Sequence, residues 1–489
     1  MSAFDELMNY DRTTQALASV AGRTGWDQET VMPEGAAGLR SEEMAALEAV
    51  LHARRTDGRL GEWLAKADAP DEVGAAKLRH LKRSYERNTK IPERLATDIA
   101  RHTSAGQGIW AKARAEDDFA SFAPTLTRMI ELKREEAACL AAGGDLYDAL
   151  LDDYEPGMSG AELQAMFDTM RPRLVDLRAR VLAADAPAAL DREFDEAGQM
   201  ALSSKLAQAF GYDLSRGRID KAVHPFSSGS GTDVRITTRT SARDPFNCFY
   251  STIHEVGHAC YEQGVRDDFA LTPLGSGVSM GVHESQSRIY ENQLGRSRAF
   301  TGWLYGQMRD QFGDFGVADE DAFYKVVNRV GSGYIRTEAD EVHYNLHVML
   351  RFDLERQLIA GDLEVADLED AWNARFESDF GVAVDKPSNG VLQDVHWSFG
   401  LFGYFPTYSL GNVYAGCLYQ SLRAAVPSLD GDLAKGETGN ATAWLRENLQ
   451  QFGGLRAPQA TIEHACGFAP TPDPLMAYLV GKFEDLYQI

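Results

Sequence analysis

The sequence predicts a mainly α-helical protein with one small β-strand element near residues 230–240. Several long segments repeat apolar residues at helical spacing and are rich in Ala, Leu, Glu and Arg. One stretch, residues 215–246, has a different composition, because it is rich in Gly, Ser and Thr and contains an alternating run. Together these two observations favour a helical protein with a short β insertion.

The first part of the chain supplies the strongest helical patterns. Apolar residues recur at helical spacing in three segments: 36–55, 118–141 and 160–185. In the first segment the apolar positions run from Leu39 to Leu51. Ser159 stands three residues before Glu162, which is the spacing of a capping box, so the third helix is expected to begin there.

The β element and the domain division follow from the middle of the chain. Residues 233–237 alternate polar and apolar side chains and predict a short strand or hairpin. The helical pattern resumes after Pro245, and no internal repeat or long linker interrupts it. We therefore expect a single domain over residues 1–489, with the alternative of a helical lobe 1–215 packed on a catalytic lobe 216–489.

Composition excludes several classes of protein. The 489 residues include 49 Lys and Arg against 73 Asp and Glu, a formal net charge of −24, which argues against binding nucleic acid or anionic membranes. The five cysteines are odd in number and form no CxxC pair, as expected for a reducing compartment. The N-terminus lacks a signal sequence and no run of 18 apolar residues occurs, so a soluble cytoplasmic protein is expected.

The segment between Pro245 and Gly264 predicts a metal-binding helix. Proline is typical of the first helical turn and glycine of the end. His254 and His258 are four residues apart, so both imidazoles project from the same face and can share one Zn²⁺. Glu255 lies beside the first histidine, which completes the HExxH arrangement with Glu255 as general base.

The HExxH pattern is specific for this chain length. With 11 histidines in 489 residues, a chance match is expected roughly 0.02 times. The alternative is a helix whose His and Glu side chains only satisfy hydrogen bonds. Gly257 inside the motif costs about 1 kcal/mol of helix stability relative to Ala. Its presence indicates close packing against another element.

A catalytic zinc needs a third protein ligand and an open position. Glu284, at the start of a predicted helix Glu284–Leu294, is favoured, and Glu291 on the same face is the alternative. Glu262 is rotated away from His254 on the first helix. His343 and His347 form a second pair at helical spacing. Because no general base stands next to the first histidine, we interpret them as polar residues that face a cleft and not as a second metal-binding pair.

Further motifs span nearly the whole chain. They are WDQETVMP from Trp26, HPF from His224, DxRxT from Asp233, HEVGH from His254, HESQSR from His283, IRxxAD from Ile335, GxxQDxHW from Gly390 and GYFPTYSLGN from Gly403. In these motifs and in their order, the sequence resembles the carboxypeptidase Taq family of metallocarboxypeptidases.

This resemblance implies a helical fold around a deep substrate groove, and commonly a homodimer. It implies removal of single C-terminal residues from peptides with broad specificity, poor against C-terminal proline. It also implies one Zn²⁺ per chain, for which Co²⁺ can substitute, held by His254, His258 and Glu284. Peptides with a free C-terminus are the expected partners, without nucleic acid or membrane.

The expected mechanism is metal-assisted hydrolysis. Zinc lowers the pKa of a bound water, and Glu255 takes its proton and then delivers it to the leaving amine. A neutral hydrogen-bond donor near the oxyanion would help. His396, Tyr404 and Tyr408 are the candidates, and the sequence does not rank them.

An exopeptidase must also hold the free carboxylate of its substrate. Arginine does this well because its planar guanidinium can bind bidentately. Arg235 in the DxRxT motif is the first candidate and Arg336 in the IRxxAD motif the second, with an ion pair as the alternative for Arg336. Asp233 and Asp394 are expected to orient Arg or His side chains.

Two other functions remain compatible with these residues. A zinc endo-oligopeptidase would use the same chemistry but accept peptides with blocked C-termini. An inactive helical binding protein with a structural metal site would retain the ligands without turnover. Loss of single residues from peptide C-termini would distinguish a carboxypeptidase from both.

Overall fold

The computed structural model describes residues 2–489 and confirms the mainly helical class with a small sheet. Its α-helices within that range are α1 Ala3–Thr30, α2 Ala37–Arg55, α3 Gly58–Leu64, α4 Glu72–Lys90, α5 Glu93–Glu116, α6 Phe119–Leu140, α7 Leu146–Leu151, α8 Gly160–Ala183, α9 Glu196–Ala209, α10 Pro245–Gly264, α11 Met280–Arg288, α12 Arg298–Phe312, α13 Glu320–Val327, α14 Tyr344–Ala360, α15 Leu368–Phe380, α16 Pro406–Ala425, α17 Leu429–Leu433, α18 Gly439–Asn448, α19 Pro458–Cys466 and α20 Asp473–Tyr487. The strands are β1 Ile219–Lys221, β2 Ser227–Ser230 and β3 Asp233–Thr238. Over residues 2–489, no helix has the length and apolar character needed to cross a membrane.

The predicted helices agree with α2, α6 and α8 to within two residues at each end. The capping box forms, since Ser159 Oγ accepts from the backbone N–H of Glu162 and Glu162 Oε2 accepts from that of Ser159. The apolar residues of α2 do not all face the core. Leu51 is buried, whereas Leu39 is 67% exposed.

One predicted helix boundary is wrong. The expected helix Glu284–Leu294 begins earlier, at Met280, because the side chain of Ser279 accepts a hydrogen bond from Val282 N–H and caps the helix there. Its last part, Ile289–Leu294, is a π-helical turn that directly continues α11. Such π segments often occur at functional sites.

The chain forms two compact units, each assembled from separated segments. The first comprises residues 2–89, Pro187–Asn328 and Tyr414–Pro470, and the second Lys90–Ala186, Arg329–Val413 and Thr471–Ile489. The first unit contains the sheet and α10, and the second contains α14. The single-domain organisation, with its optional boundary near residue 215, stays a prediction.

The sheet of the first unit places one face of β3 against α10. The strand order is β1-β3-β2, with β1 parallel and β2 antiparallel to β3. The predicted strand 233–237 is therefore the central strand. Val234 and Ile236 are fully buried, as the alternation requires, so β3 helps to fix the position of α10.

Helix α14 is the buried centre of the second unit, where it packs on α6, α7, α8 and α15. Its apolar side chains Leu346, Leu350 and Leu358 are fully buried. Arg351 and Glu355 on the same helix are fully buried as well. Buried charges are costly unless they are paired, so the partners of these two side chains organise their surroundings.

Candidate active site

Helix α10 presents the two histidines of the HExxH motif on one side. Its predicted bounds are confirmed, with Pro245 as the first residue and the side chain of Asp244 as the N-terminal cap. The rings of His254 and His258 lie one turn apart, with centroids 5.0 Å from each other. A well-capped helix of 20 residues thus fixes the spacing of two imidazoles.

The glycine in the motif allows α11 to approach α10 closely. A Cβ at Gly257 would lie 2.5 Å from the carbonyl oxygen of Gln286 and 2.6 Å from the Cα of Ser287. Only a residue without a side chain fits against backbone at that distance. The predicted close packing at Gly257 is confirmed. It places Glu284, on α11, next to His254 and His258.

His254, His258 and Glu284 form the metal-binding candidate found among residues 2–489. One ligand atom from each lies within 4.8 Å of the others. Glu284 Oε2 is 3.7 Å from His254 Nε2 and 3.5 Å from His258 Nε2. Ligands held tetrahedrally at about 2.0–2.1 Å from Zn²⁺ stand roughly 3.4 Å apart, so this donor set fits a zinc-sized ion.

The second oxygen of Glu284 is turned away from the histidines. Arg288 Nε donates to Glu284 Oε1 at 2.6 Å, and Ser287 Oγ donates to Oε2 at 3.2 Å. Burial alone would raise the pKa of Glu284, but Arg288 and His254 outweigh it and hold that pKa well below its usual range. The carboxylate is therefore ionised and presents a single oxygen to the site.

A carboxylate behind His254 fixes the orientation of its ring. His254 Nδ1 lies 2.9 Å from Glu291 Oε2, so Nδ1–H donates there and leaves Nε2 free to ligate a metal. Arg288 and Arg296 also bond Glu291. Glu291, the alternative third ligand, thus lies behind His254 and outside the candidate ligand group.

His258 is supported by a histidine instead of a carboxylate. His258 Nδ1 is 2.7 Å from His283 Nδ1, and His283 Nε2 is 2.9 Å from Glu262 Oε1. With His258 Nε2 facing Glu284, its Nδ1–H donates to His283, which in turn donates from Nε2 to Glu262. Burial lowers the pKa of His258 to about 4, which keeps the ring in the neutral form that binds metal.

This His283–Glu262 relay was missed by sequence reasoning. Glu262 was expected to point away from the metal ligands, and it lies outside their group as expected. Its role behind His283 requires the loop before α11, where Gly277 N–H also donates to Glu262 Oε1. Only the presence of His283 inside the HESQSR motif could have signalled it.

Glu255 is buried beside the ligand group, with 6% of its surface exposed. Burial raises the pKa of its carboxyl to about 7, with His254 opposing and Glu284 reinforcing the shift. A carboxyl group in this range can both accept and release a proton near neutral pH.

The pair His343 and His347 forms no second metal site among residues 2–489. His343 Nδ1 bonds Asp340 and its Nε2 accepts from Arg178 Nε at 3.2 Å. His347 is buried beside the ring of Phe380, with centroids 4.5 Å apart. Both rings therefore belong to the interior of the second unit and do not face a cleft.

Arg235, the first candidate for binding a substrate carboxylate, is held by Asp233. Its Nε and Nη2 donate to the two oxygens of Asp233 at 2.7 and 2.9 Å. The guanidinium also lies over the ring of Trp26, 4.7 Å from the centroid. A pre-oriented arginine of this kind, with its side chain 24% exposed, retains Nη1 for a further acceptor.

Arg336, the second candidate, pairs with Asp394 and with none of the nearby acidic residues Glu338, Asp340 and Glu341. Its Nε and Nη2 donate to Asp394 Oδ1 at 3.1 and 2.8 Å. Arg351 Nε donates to the other oxygen, Oδ2, at 2.6 Å. Asp394 thus orients two buried arginines of the second unit.

His396 and the two candidate tyrosines form an aromatic group next to that pair. His396 Nε2 is 3.4 Å from Tyr408 Oη, and its ring is 5.6 Å from that of Tyr404. Burial lowers the pKa of His396 to about 4, with Asp394 opposing and Arg336 reinforcing the shift. His396 is therefore a neutral donor near physiological pH.

Comparison with known proteins gives a consistent result over almost the whole chain. The family model described as carboxypeptidase Taq (M32) metallopeptidase matches residues 6–483. Thermostable carboxypeptidase 1 of Thermus thermophilus is 40% identical, with 99% of each chain covered. The crystal structure of an M32 carboxypeptidase from Deinococcus radiodurans R1 superposes with a TM-score of 0.97 at 38% identity and full coverage of both chains. Trypanosoma cruzi metallocarboxypeptidase 1 gives 0.96 at 32% identity, covering 100% of this chain and 99% of that one.

Proposed function

Because the chain belongs to the carboxypeptidase Taq (M32) metallopeptidase family and is a metallocarboxypeptidase, we propose that it removes single residues from peptide C-termini with Zn²⁺ at His254, His258 and Glu284. Convergence of three ligand atoms beside Glu255 is the observation that carries this proposal. Broad specificity, with poor action on C-terminal proline, is the expected range.

Membership of this metallopeptidase family implies a divalent metal ion. When bound, it supplies Lewis-acid polarisation of the scissile carbonyl and of the attacking water. Two imidazoles and one carboxylate oxygen, spaced as observed, favour Zn²⁺, with Co²⁺ as a substitute. We propose one ion per chain.

Glu255 moves the proton in this proposal. One of its carboxylate oxygens takes a proton from the attacking water and passes it to the nitrogen of the leaving amine. Its position next to His254 on α10, buried from bulk water, supports this role. Exclusion of water also strengthens every charge interaction around it.

Arg235 and Arg336 are the proposed ligands of the C-terminal carboxylate, in that order. Arg235 is supported by its fixed orientation on Asp233 and by its partly exposed side chain. Arg336 is supported by the IRxxAD motif and by its rigid pairing with Asp394. A guanidinium that is already oriented loses little entropy on binding.

His396, Tyr404 and Tyr408 are proposed to donate hydrogen bonds to the peptide or its oxyanion. A neutral imidazole suits this role because donation does not depend on its protonation. We also propose a cytoplasmic homodimer, supported by five cysteines that form no disulfide within residues 2–489 and by the resemblance to the family.

Mass spectrometry of a mixed peptide pool tests the proposed activity. Incubation with the zinc-loaded protein should give ladders of one-residue losses from free C-termini and stop at proline. The same peptides with amidated C-termini are the control and should stay intact. Internal cleavage, or equal cleavage of amidated peptides, would show an endo-oligopeptidase instead.

A further inference from the structure

One face of α14 holds successive parts of the second unit in place. Tyr344, Arg351 and Glu355 share this face because they are seven and four residues apart. Tyr344 Oη accepts from Arg336 Nη1 at 3.2 Å, and Arg351 donates to Asp394. The first two therefore steady the Arg336–Asp394 pair. Glu355, one turn further along, has no place in the chemistry described above.

Glu355 is fully buried and accepts three hydrogen bonds. Its Oε1 accepts from Trp397 Nε1 at 2.8 Å, and its Oε2 accepts from Tyr147 Oη at 2.9 Å and Gly403 N at 3.1 Å. Burial raises the pKa of this carboxyl to about 7, although the three donors oppose the shift. A buried carboxyl with this many directed partners is held in one geometry.

Two of these partners are the ends of one loop. Trp397 begins the loop and is 4% exposed, with its ring edge-on to that of Trp372. Gly403 ends it with a φ of +83°, and a Cβ there would lie 2.7 Å from the backbone nitrogen of Leu151. The carboxyl group of Glu355 therefore joins both ends of residues 397–403 to a buried helix.

The residues just outside this loop are His396 and Tyr404, which the proposed function places against the peptide. We propose that Glu355 is a positioning residue that sets His396 and Tyr404 together, by holding Trp397 and Gly403 on its two oxygens. This inference rests on the proposed function. It assigns to one buried carboxyl the alignment of two groups that belong to different motifs.

Glu355→Gln tests the role with little change of volume. An amide offers one acceptor oxygen and one NH₂ donor, and both Trp397 Nε1 and Gly403 N can only donate. Whichever way the amide turns, one end of the loop therefore meets a donor in place of an acceptor. We expect kcat to fall about tenfold or more with KM within about twofold, because small misplacements are costly in catalysis.

A double-mutant cycle with His396→Ala separates positioning from general damage. His396→Ala alone should cost about 10²-fold in kcat/KM if His396 donates to the oxyanion. In the Glu355→Gln background the further loss should be much smaller, because Glu355 acts through His396. Additive losses, or wild-type kcat in Glu355→Gln, would overturn the inference.

Two further variants keep the result interpretable. If Glu355→Gln fails to fold, Trp397→Phe removes the hydrogen bond from Trp397 Nε1 to Glu355 instead. Its loss of kcat/KM should also be non-additive with that of His396→Ala. Additive losses in this pair would overturn the inference. Glu341→Gln is the control, since it breaks a buried pair with Lys482 in the same unit. It should lower the thermal midpoint and leave kcat unchanged. If His396→Ala and Tyr404→Phe both keep wild-type kcat/KM, the proposed roles of these residues fail, and the inference falls with them.

Discussion

Two buried charged clusters distinguish the two units. In the first unit, Glu284 Oε2 lies 3.7 and 3.5 Å from the Nε2 atoms of His254 and His258, and each of the three side chains is bonded from behind by another residue. In the second unit, Arg336 and Arg351 bond Asp394 directly, at 2.8 and 2.6 Å. The first cluster directs its polar atoms to a common point, and the second directs them to each other.

This difference separates a candidate metal site from an internal ion pair. Removing charges from water is costly, and a mutual pair offsets that cost within the protein. A convergent set with outward supports leaves its inner atoms for an external cation. We therefore propose the metal role for the first cluster, and for Asp394 in the second cluster the role of orienting Arg336 and Arg351.

Glu284→Gln should have the largest effect, because it removes the proposed carboxylate ligand of the first cluster. Loss of the ligand carboxylate should leave the protein without bound zinc after dialysis and lower peptidase activity about 10³-fold or more, because the metal supplies several kcal/mol of transition-state stabilisation. Elemental analysis and kcat/KM check this. Glu291→Gln is the matched control and should keep zinc with only about 10–100-fold weaker affinity. The reverse ranking would make Glu291 the third ligand.

Asp394→Asn should lower the free energy of unfolding without loss of bound zinc. Breaking a buried ion pair typically costs about 3–5 kcal/mol. Burial alone would raise the pKa of Asp394, but Arg336 and Arg351 outweigh it and lower that pKa well below its usual value of 3.8. Ionised Asp394 therefore stabilises the fold fully above pH 3.8, and this stabilisation is lost as pH falls from 3.8 towards the lower pKa of the folded state.

Urea denaturation of the wild type and of Asp394→Asn at several pH values measures this effect. The difference between their midpoints should be large at pH 7 and narrow as pH falls below about 4. A difference that stays constant with pH, or loss of zinc from the variant, would contradict the assignment of this cluster.

The His283–Glu262 relay lies behind His258 in the proposed metal site. His283→Phe leaves His258 Nδ1–H without an acceptor and should weaken zinc binding about 10–100-fold. Glu262→Gln keeps an acceptor oxygen for His283 Nε2–H, so it should weaken zinc binding less than His283→Phe does. Chelator competition measures both affinities, and an unchanged affinity in His283→Phe would remove the relay from the metal site.

Gly257→Ala tests the contact that brings α10 and α11 together. The added methyl group meets backbone at 2.5 Å, so we expect about 1–3 kcal/mol of destabilisation together with weaker zinc binding. Gly306→Ala, in α12 with no atom within 4 Å of the added carbon, is the control and should stabilise by about 1 kcal/mol. Thermal melts with and without zinc separate the two effects. Equal behaviour of the two variants would rule out a special contact at Gly257.

Local signals predicted much of the first cluster. Pro245 and Gly264 mark the ends of α10, and the i, i+4 spacing of His254 and His258 is a property of the helix itself. Gly257 even indicated that another backbone lies close. These features depend on residues within a few turns of one another, which is why the sequence reveals them.

Tertiary contacts account for what the sequence did not predict. β1 and β2 contain three and four residues, too short for a periodic pattern. Glu262 and His283 come together only because the connection between α10 and α11, residues 265–279, folds back on α10. Glu355 is joined to Trp397 across 42 positions in the chain. Such pairings have no local signature.

Glu255→Gln in zinc-loaded protein tests the proposed chemistry of this site directly. We expect one zinc per chain, an unchanged thermal midpoint within experimental error, and kcat reduced by at least about 10²-fold, since general acid–base catalysis contributes about 10²–10⁴. Retention of zinc together with near-wild-type kcat would contradict Glu255 as the group that moves the proton.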